Sequence, residues 1–329
     1  MPICANDYAA HDGVLRLHLI AHGPVTPKAD AFLIALDGEY YLIDGGMTAN
    51  TGTYEYLIRL RAALLDRAPA GTHAPLRINW VVSHFHQDHI GATLDYVIRD
   101  RRIEFDRIYL PPRSAIDPKY PDNGDNKYRG ITAELIARMQ PQATVIDVGF
   151  GHDAKLVIPY GDGGEITIYP PDRDWGLEEN LAYMVDNYYD GNWEKPNIAV
   201  AAVNACSQWM GIRYGGRQCL FTGDTMKRKA KLDAEAFDTM YALWGAEIGQ
   251  VDVLKYLHHG VARDKAARGM LKFQPKRVIV THSQPTAPEA LREVIAEDGG
   301  TMPEIIACGD RSYVLEIAAD GGIKGSWLS

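Results

Sequence analysis

Within residues 83–92, SHFHQDHIGA, three of the chain's eleven histidines fall in six positions: His84, His86 and His89, with Asp88 beside them. The cluster follows a short apolar run, INWVV, that reads as a strand. Side chains alternate along a strand, so His84 and His86 point to one side. Asp88 and His89 lie where the strand ends and can turn toward the same point. Imidazole and carboxylate donors gathered in this way suit Zn2+, one ion or two, with Mn2+ or Fe as alternatives where oxygen ligands dominate. Independent surface histidines are a poor account of such crowding.

One cluster cannot close a metal site, and further donors must come from other elements. The later candidates share a position: each ends an apolar run. Asp224 ends CLFTGD, His258 and His259 end VLKYLHHG, and His282 ends VIVTH. Any one of them alone could simply begin a loop. Together with the cluster they point to a shared cleft, because strand ends on one rim of a sheet converge.

The elements that must position these residues are legible as periodicity. AFLIAL and YYLIDGG flank a turn at 37–39, a β-hairpin ending at Asp44. Residues 53–67 have helical spacing, and HIGATLDYVIRD continues the histidine cluster as a helix. Strands are expected at 107–112 and 143–149, then in KLVIP and EITIYPP, with a helix over 131–139. The second half starts again with strands at 197–214 and 218–224, a helical stretch at 226–247 and strands at 251–260 and 277–283. A helix follows in APEALREVIAEDG, with Pro near its start and Gly after its end, and two short strands close the chain. Each half runs strands first and helices after, which suggests two packed sheets with helices outside, in one domain spanning 1–329. Residues 111–130 and 172–196 read as surface insertions that wall the cleft.

Composition narrows the function. The chain has 329 residues, 46% hydrophobic and 23% charged, as expected of a globular protein with a sizeable core. No stretch approaches the roughly 18 apolar residues a membrane-spanning helix needs. The N-terminus lacks the basic start and apolar core of a secretory signal, so a cytoplasmic location is expected. The four cysteines are scattered and show no metal-binding spacing. A net charge of −9 disfavours extended nucleic acid and favours a small-molecule substrate. Arginines interleaved with acids over 99–113 read as a mixed solvated face.

SHFHQDHIGA resembles the HxHxDH signature of the metallo-β-lactamase fold superfamily, and YLIDGG, LFTGD and LKYLHHG resemble three further motifs of that superfamily in their expected order. The resemblance spans about residues 14–318. It implies a four-layer αββα sandwich with a one- or two-metal site on the rim between the sheets. By position it makes His84 and His86 ligands of a first metal and Asp88 and His89 ligands of a second, with Asp224 bridging. His258 is the preferred member of the later pair to complete the second site, leaving His259 to support a ligand from behind or to face substrate. Asp44 would orient a ligand histidine.

One position departs from that pattern. Many hydrolases of the superfamily carry a third histidine for the first metal where this chain has Asn204. Asn204-x-x-Ser207 ahead of LFTGD and HHG is similar to the soluble relatives of the bacterial competence (DNA-uptake) channel hydrolase domain, a branch linked to phosphodiester hydrolysis. An amide oxygen is a weaker ligand than imidazole for Zn2+, so Asn204 and Ser207 either complete a weakened site or hydrogen-bond a ligand or substrate. The function implied is a metal-dependent hydrolase acting through a metal-bound hydroxide on a phosphodiester or phosphoester, the substrate a small phosphorylated molecule. Asp88 would orient the water or take its proton, and His259, His282 or a tyrosine from 183–189 would protonate the leaving group. The alternatives are an acyl hydrolase (lactone, thioester or β-lactam-like substrate) and a non-hydrolytic metal-binding module that keeps the fold.

Overall fold

The run AFLIAL, Ala31–Leu36, is buried at every position, yet its side chains serve two different cores. Ala31, Leu33 and Ala35 pack into one apolar cluster, Phe32, Ile34 and Leu36 into another. With a side-chain period of two, such a strand must have both faces covered, which makes it part of an inner layer. The computed structural model describes residues 12–21, 28–112, 124–172, 203–204, 206–225, 230–261, 264–309 and 311–328.

The first sheet contains β1 (Val14–Leu19), β2 (Ala31–Leu36), β3 (Glu39–Asp44), β4 (Leu76–Val81), β5 (Ile103–Leu110) and β6 (Thr144–Asp147). The second contains β7 (Leu156–Tyr160), β8 (Gly164–Tyr169), β9 (Trp209–Tyr214), β10 (Arg217–Phe221), β11 (Val253–Lys255), β12 (Arg277–Val280) and β13 (Glu304–Ala307). The closing pair, β14 (Tyr313–Ala318) and β15 (Ile323–Trp327), returns to the first sheet. The spatial orders are β15-β14-β1-β2-β3-β4-β5-β6 and β13-β12-β11-β10-β9-β8-β7. The sheets therefore do not divide cleanly between the two halves of the chain, as strand order alone suggested. β7 and β8 come from the first half, and β14 and β15 cross back.

Leu15, Leu17, Tyr41 and Ile43 of the first sheet meet Ile166, Met210, Ile212 and Phe221 of the second in the central core. Outside the first sheet lie α1 (Gly52–Leu65), the short α2 (Gln87–Ala92) and α3 (Gly124–Met139), which contribute Leu57, Leu60, Ile90, Leu135 and Ile136 to an outer core. Outside the second lie α4 (Ala230–Ile248), α5 (Asp264–Leu271) and α6 (Ala287–Asp298), packing Trp244, Met270 and Leu291 onto Leu220, Leu254 and Val278. This is the expected four-layer αββα sandwich.

Details differ from the sequence reading. The helix after the histidine cluster is α2 followed by a wider π-helical turn, Thr93–Val97. The helix α3 begins at Gly124, inside the segment read as an insertion. The strand expected over 251–260 is only three residues long before the chain leaves the sheet, and β13 was not anticipated. Of the strand expected over 197–214, Trp209–Tyr214 is present, and residues 197–202 lie outside the described residues. So does most of the expected insertion at 172–196. No helix among the described residues is long and apolar enough to cross a membrane.

The topology that matters for function is parallel pairing. β3, β4, β5 and β6 run parallel in one sheet, and β10, β11, β12 and β13 in the other. Within each set every carboxyl end opens on the same rim, where ligands bind in open α/β sheets.

His18 on β1 lies opposite the central core, fully buried, with its ring 4.2 Å from that of Tyr56. Burial pushes its pKa down to about 3. Folding therefore excludes a proton that the unfolded chain binds. The stability linked to His18 is complete above its unfolded value near 6.5 and is lost as pH falls through that value toward about 3. His18→Leu should remove roughly 1.4 kcal/mol per pH unit of acid sensitivity in that window, measured by urea unfolding at pH 7 and pH 5. Parallel stability profiles for variant and wild type would contradict this.

Candidate metal centre

Asp44 closes β3 in a left-handed backbone conformation, φ 57°, and turns its carboxylate toward the end of β4. There it accepts three hydrogen bonds: from the Ser83 amide at 2.7 Å, the Ser83 hydroxyl at 2.8 Å and His89 Nδ1 at 2.8 Å. Having donated to Asp44, the Ser83 hydroxyl is left to accept from His84 Nδ1, 3.0 Å away. One carboxylate thus orients two histidines of the cluster, His89 directly and His84 through Ser83, and leaves the Nε2 atom of each facing away from it. His84 Nε2 lies 3.0 Å from His86 Nδ1.

The two glycines after Asp44 let this turn lie against α2. The amide of Gly46 donates to the carbonyl oxygens of Asp30 and His89, and Ala92 donates back to Gly46. A Cβ on Gly45 would run into Thr93, and one on Gly91 into the Thr48 backbone. The DGG sequence and the HIGA sequence therefore depend on each other sterically.

The other side of the centre comes from the second sheet. Asp224 follows β10, its amide donating to Ser207 Oγ at 3.2 Å. Beyond β11 the chain makes a single tight turn, His258–Gly260, in which His258 and His259 both take positive φ, 45° and 58°. Two consecutive non-glycine residues in this region cost energy that the surrounding contacts must hold in place. His259 is held: its Nδ1 faces Asp30 Oδ1 at 3.0 Å and the Thr281 hydroxyl at 3.1 Å. Thr281 in turn donates to Asp30 at 2.5 Å. Asp30 also receives the ammonium of the fully buried Lys255 at 2.5 Å, and Lys255 reaches the Gly223 carbonyl at 2.9 Å and Asp224 Oδ1 at 3.4 Å.

These two halves meet at Asp224 Oδ2, 3.3 Å from His89 Nε2 and 3.3 Å from His259 Nε2. Asp88 Oδ2 lies 3.3 Å from His259 Nε2 as well. Two groups of potential ligands result, His84, His86 and Asp224, and Asp30, His89, Asp224 and His259, with Asp224 in both. Within the second group Asp30 already takes donors from Lys255, Thr281 and His259. Asp88 is the carboxylate left to face the centre.

The electrostatics follow from burial and crowding. Burial opposes charge on His89, but the Asp224 and Asp44 carboxylates outweigh it and raise its pKa to about 10. His259 is raised well above the usual imidazole range against burial by Asp224 and Asp30. Asp224 and Asp88 are held well below the carboxylate range despite burial, chiefly by His259 and His89. His84, with no carboxylate in direct contact, is pushed well down by burial and by His89 and His86.

The residues singled out in the sequence thus fall into three sets. His84, His86, Asp88, His89, Asp224 and His259 gather at one point, with Asp44 and Ser207 holding them. His258 sits at the opening, 21% exposed, its Nε2 3.6 Å from Asp224, and burial lowers its pKa to about 4. Its placement contrasts with that of His259, which is buried at the centre, whereas the sequence reading gave the ligand role to His258 and set His259 behind a ligand or toward substrate. His282 is at the rim, half-buried, accepting the Gln284 amide at Nδ1. Asn204 is buried, and its amide oxygen accepts no hydrogen bond among the described residues. Sequence reasoning missed Asp30, Lys28, Ser83, Lys255 and Thr281. Lys255 carried a usable signal: a lysine inside the apolar run VLKYL demands a buried carboxylate partner.

The donor set fits a divalent transition-metal ion. His89 Nε2, His259 Nε2 and Asp224 Oδ2 are buried, close to one another, and make no hydrogen bond among the described residues. Buried polar atoms that meet only at 3.3 Å, without a hydrogen bond, are poorly satisfied, and a cation shared among them would satisfy all three. Imidazole nitrogen with carboxylate oxygen is a donor set for Zn2+, Mn2+ or Fe.

No protein-family profile matches this chain, and no curated protein does. Among solved structures it is similar to the metallo-β-lactamase fold protein YhfI from Bacillus subtilis, at 11% identity and TM-score 0.43, covering 96% of this chain and 100% of that one. It is similar to a β-hydroxylase, CmlA, at 15% identity and TM-score 0.47, covering 92% of this chain and 54% of that one. A diphosphatase of the PhnP family aligns at 14% identity and TM-score 0.42, over 94% and 100% of the two chains.

Asp44→Asn keeps a residue that tolerates the left-handed backbone but removes the charge behind His89 and Ser83. It should weaken divalent-metal affinity by about 10–100-fold, as loss of a carboxylate behind a ligand histidine does. Calorimetric titration of Zn2+ into apoprotein reads this directly, and unchanged affinity would contradict the orienting role.

Proposed function

We propose that this protein is a metal-dependent hydrolase whose centre lies between the carboxyl ends of β3–β4 and β10–β12, and that it acts on a phosphoester or phosphodiester. The observation that carries the reading is the convergence of three buried donor atoms that make no hydrogen bond among the described residues, His89 Nε2, His259 Nε2 and Asp224 Oδ2, backed by oriented carboxylates. In this reading His84, His86 and Asp224 would hold one ion. Asp88, His89, Asp224 and His259 would hold the other. We assign the ligand role to His259 in place of His258, because His259 is buried, oriented by Asp30 and aimed at the shared carboxylate.

A bound divalent ion would supply Lewis acidity, lowering the pKa of a water toward neutrality and offsetting charge on the attacked centre. The protein's own part is positional. Asp44 and Asp30 fix the imidazole tautomers, so that Nδ1 donates inward and Nε2 is presented to the ion. Asp88 faces the same centre and is placed to take the proton of the attacking water. His282, with Nδ1 engaged by the Gln284 amide, carries its proton on Nε2 and can donate at the rim. The preference for phosphorus over acyl carbon rests on the resemblance of Asn204-x-x-Ser207 and its neighbouring motifs to a phosphodiesterase-linked branch.

The test is elemental analysis of protein purified without chelator, followed by assays with bis-p-nitrophenyl phosphate and a chromogenic lactam after Zn2+ or Mn2+ addition. His259→Ala should lose bound metal and lower diester turnover by more than the roughly 10–100-fold that a supporting residue costs. His258→Ala should retain its metal. Turnover of the lactam alone would move the substrate to the acyl class. Undiminished metal and turnover in His259→Ala, or no metal in wild type, would overturn the proposal.

A further inference from the structure

Lys28 stands at the opening of this centre. Its ammonium lies 2.9 Å from Asp88 Oδ2, and its side chain is about one-third exposed. Its backbone forms a bridge with that of His282, so the two residues come from adjoining segments of the same rim. The Lys28 charge is also felt by the imidazoles of His258 and His282, both lowered in pKa mainly by burial. Lys28 itself is raised, burial being outweighed by Asp88, Asp224 and Asp30.

Above a floor of carboxylates the mouth of the cleft thus presents, among the described residues, the Lys28 ammonium and the imidazoles of His258 and His282. The tautomer of His282 is fixed, because Nδ1 accepts the Gln284 amide at 2.9 Å and the proton must sit on Nε2. A carboxylate that ligates a metal gives up charge to it, so a metal-bound Asp88 would hold the ammonium less tightly. A lysine on a flexible four-carbon stem can then turn to another anion at little cost. A neutral substrate would have no use for it.

We propose that Lys28, with His282 on the adjoining segment, is the anion-recognition element of the cleft, pairing with a negatively charged, non-bridging oxygen of the substrate. The inference rests on the hydrolase reading and names what that reading leaves open: the substrate carries a formal negative charge next to the scissile bond. Phosphate and carboxylate oxygens share this chemistry, and the two are separable by experiment.

The experiment is calorimetric titration of inorganic phosphate, and separately of acetate, into manganese-loaded wild type, Lys28→Met and Lys28→Arg, with metal content measured on the same samples. All three proteins should hold the same metal. Phosphate should bind wild type and Lys28→Met with affinities differing by roughly tenfold to a hundredfold, the worth of a charge-assisted contact, and Lys28→Arg should restore binding. A Lys28-dependent signal with acetate in place of phosphate would keep the anion element and assign it to a carboxylate. Equal anion affinity in metal-loaded wild type and Lys28→Met would overturn this inference while leaving the hydrolase reading intact. No metal in wild type would overturn the hydrolase reading, and this inference with it.

Discussion

Four carboxylates, Asp30, Asp44, Asp88 and Asp224, are buried together where two sheet rims meet. Charges removed from water are tolerated only when paired and hydrogen-bonded, and like charges brought together raise the cost. Nearly every polar contact around the centre answers this constraint. Lys255 neutralises Asp30 from below, Lys28 meets Asp88 from above, and Ser83, Thr281 and two imidazole Nδ1 atoms hydrogen-bond the oxygens of Asp44 and Asp30, while Asp224 Oδ2 makes no hydrogen bond among the described residues. Two ammonium groups against four carboxylates leave an excess of negative charge. The raised pKa values of His89 and His259 report that excess. A divalent cation between their Nε2 atoms and Asp224 meets the same demand.

The fold exists in a form that makes this crowding affordable. Because β3–β6 and β10–β13 are parallel sets, the loops after β3, β4, β10, β11 and β12 all open on one rim. The apolar interior that keeps the carboxylates out of water is the central core between the sheets, and the outer helices seal the opposite faces. Three residues at this place, Asp44, His258 and His259, take left-handed backbone conformations. For Asp44 and His259, the hydrogen bonds that hold the side chain also hold the backbone there.

Much of this was legible in the sequence, for identifiable reasons. Alternation in AFLIAL and YYLID and the histidine spacing in SHFHQDH are local signals, and they gave the hairpin and the strand-end cluster. The four-layer stacking followed from strands and helices that each needed a second surface to cover. What failed was non-local. Nothing in KADAFLIAL announces that Asp30 will meet Lys255 and His259, more than 220 residues away. The contrast between His258 and His259 depends on the conformation of one turn, in which His259 is buried with Asp30 behind its Nδ1 and His258 sits at the opening. Sheet membership of β7, β8, β14 and β15 is likewise a matter of pairing partners and not of strand propensity.

The central claim is that a metal ion belongs among His89, His259 and Asp224. The most direct measurement is an anomalous-difference map from a crystal of the zinc-loaded protein, collected on both sides of the zinc absorption edge. The account predicts a peak about 2.0–2.2 Å from the Nε2 atoms of His89 and His259 and from an Asp224 oxygen. A peak bound through His258 with His259 uninvolved, or no peak at this point from zinc-saturated protein, would contradict it.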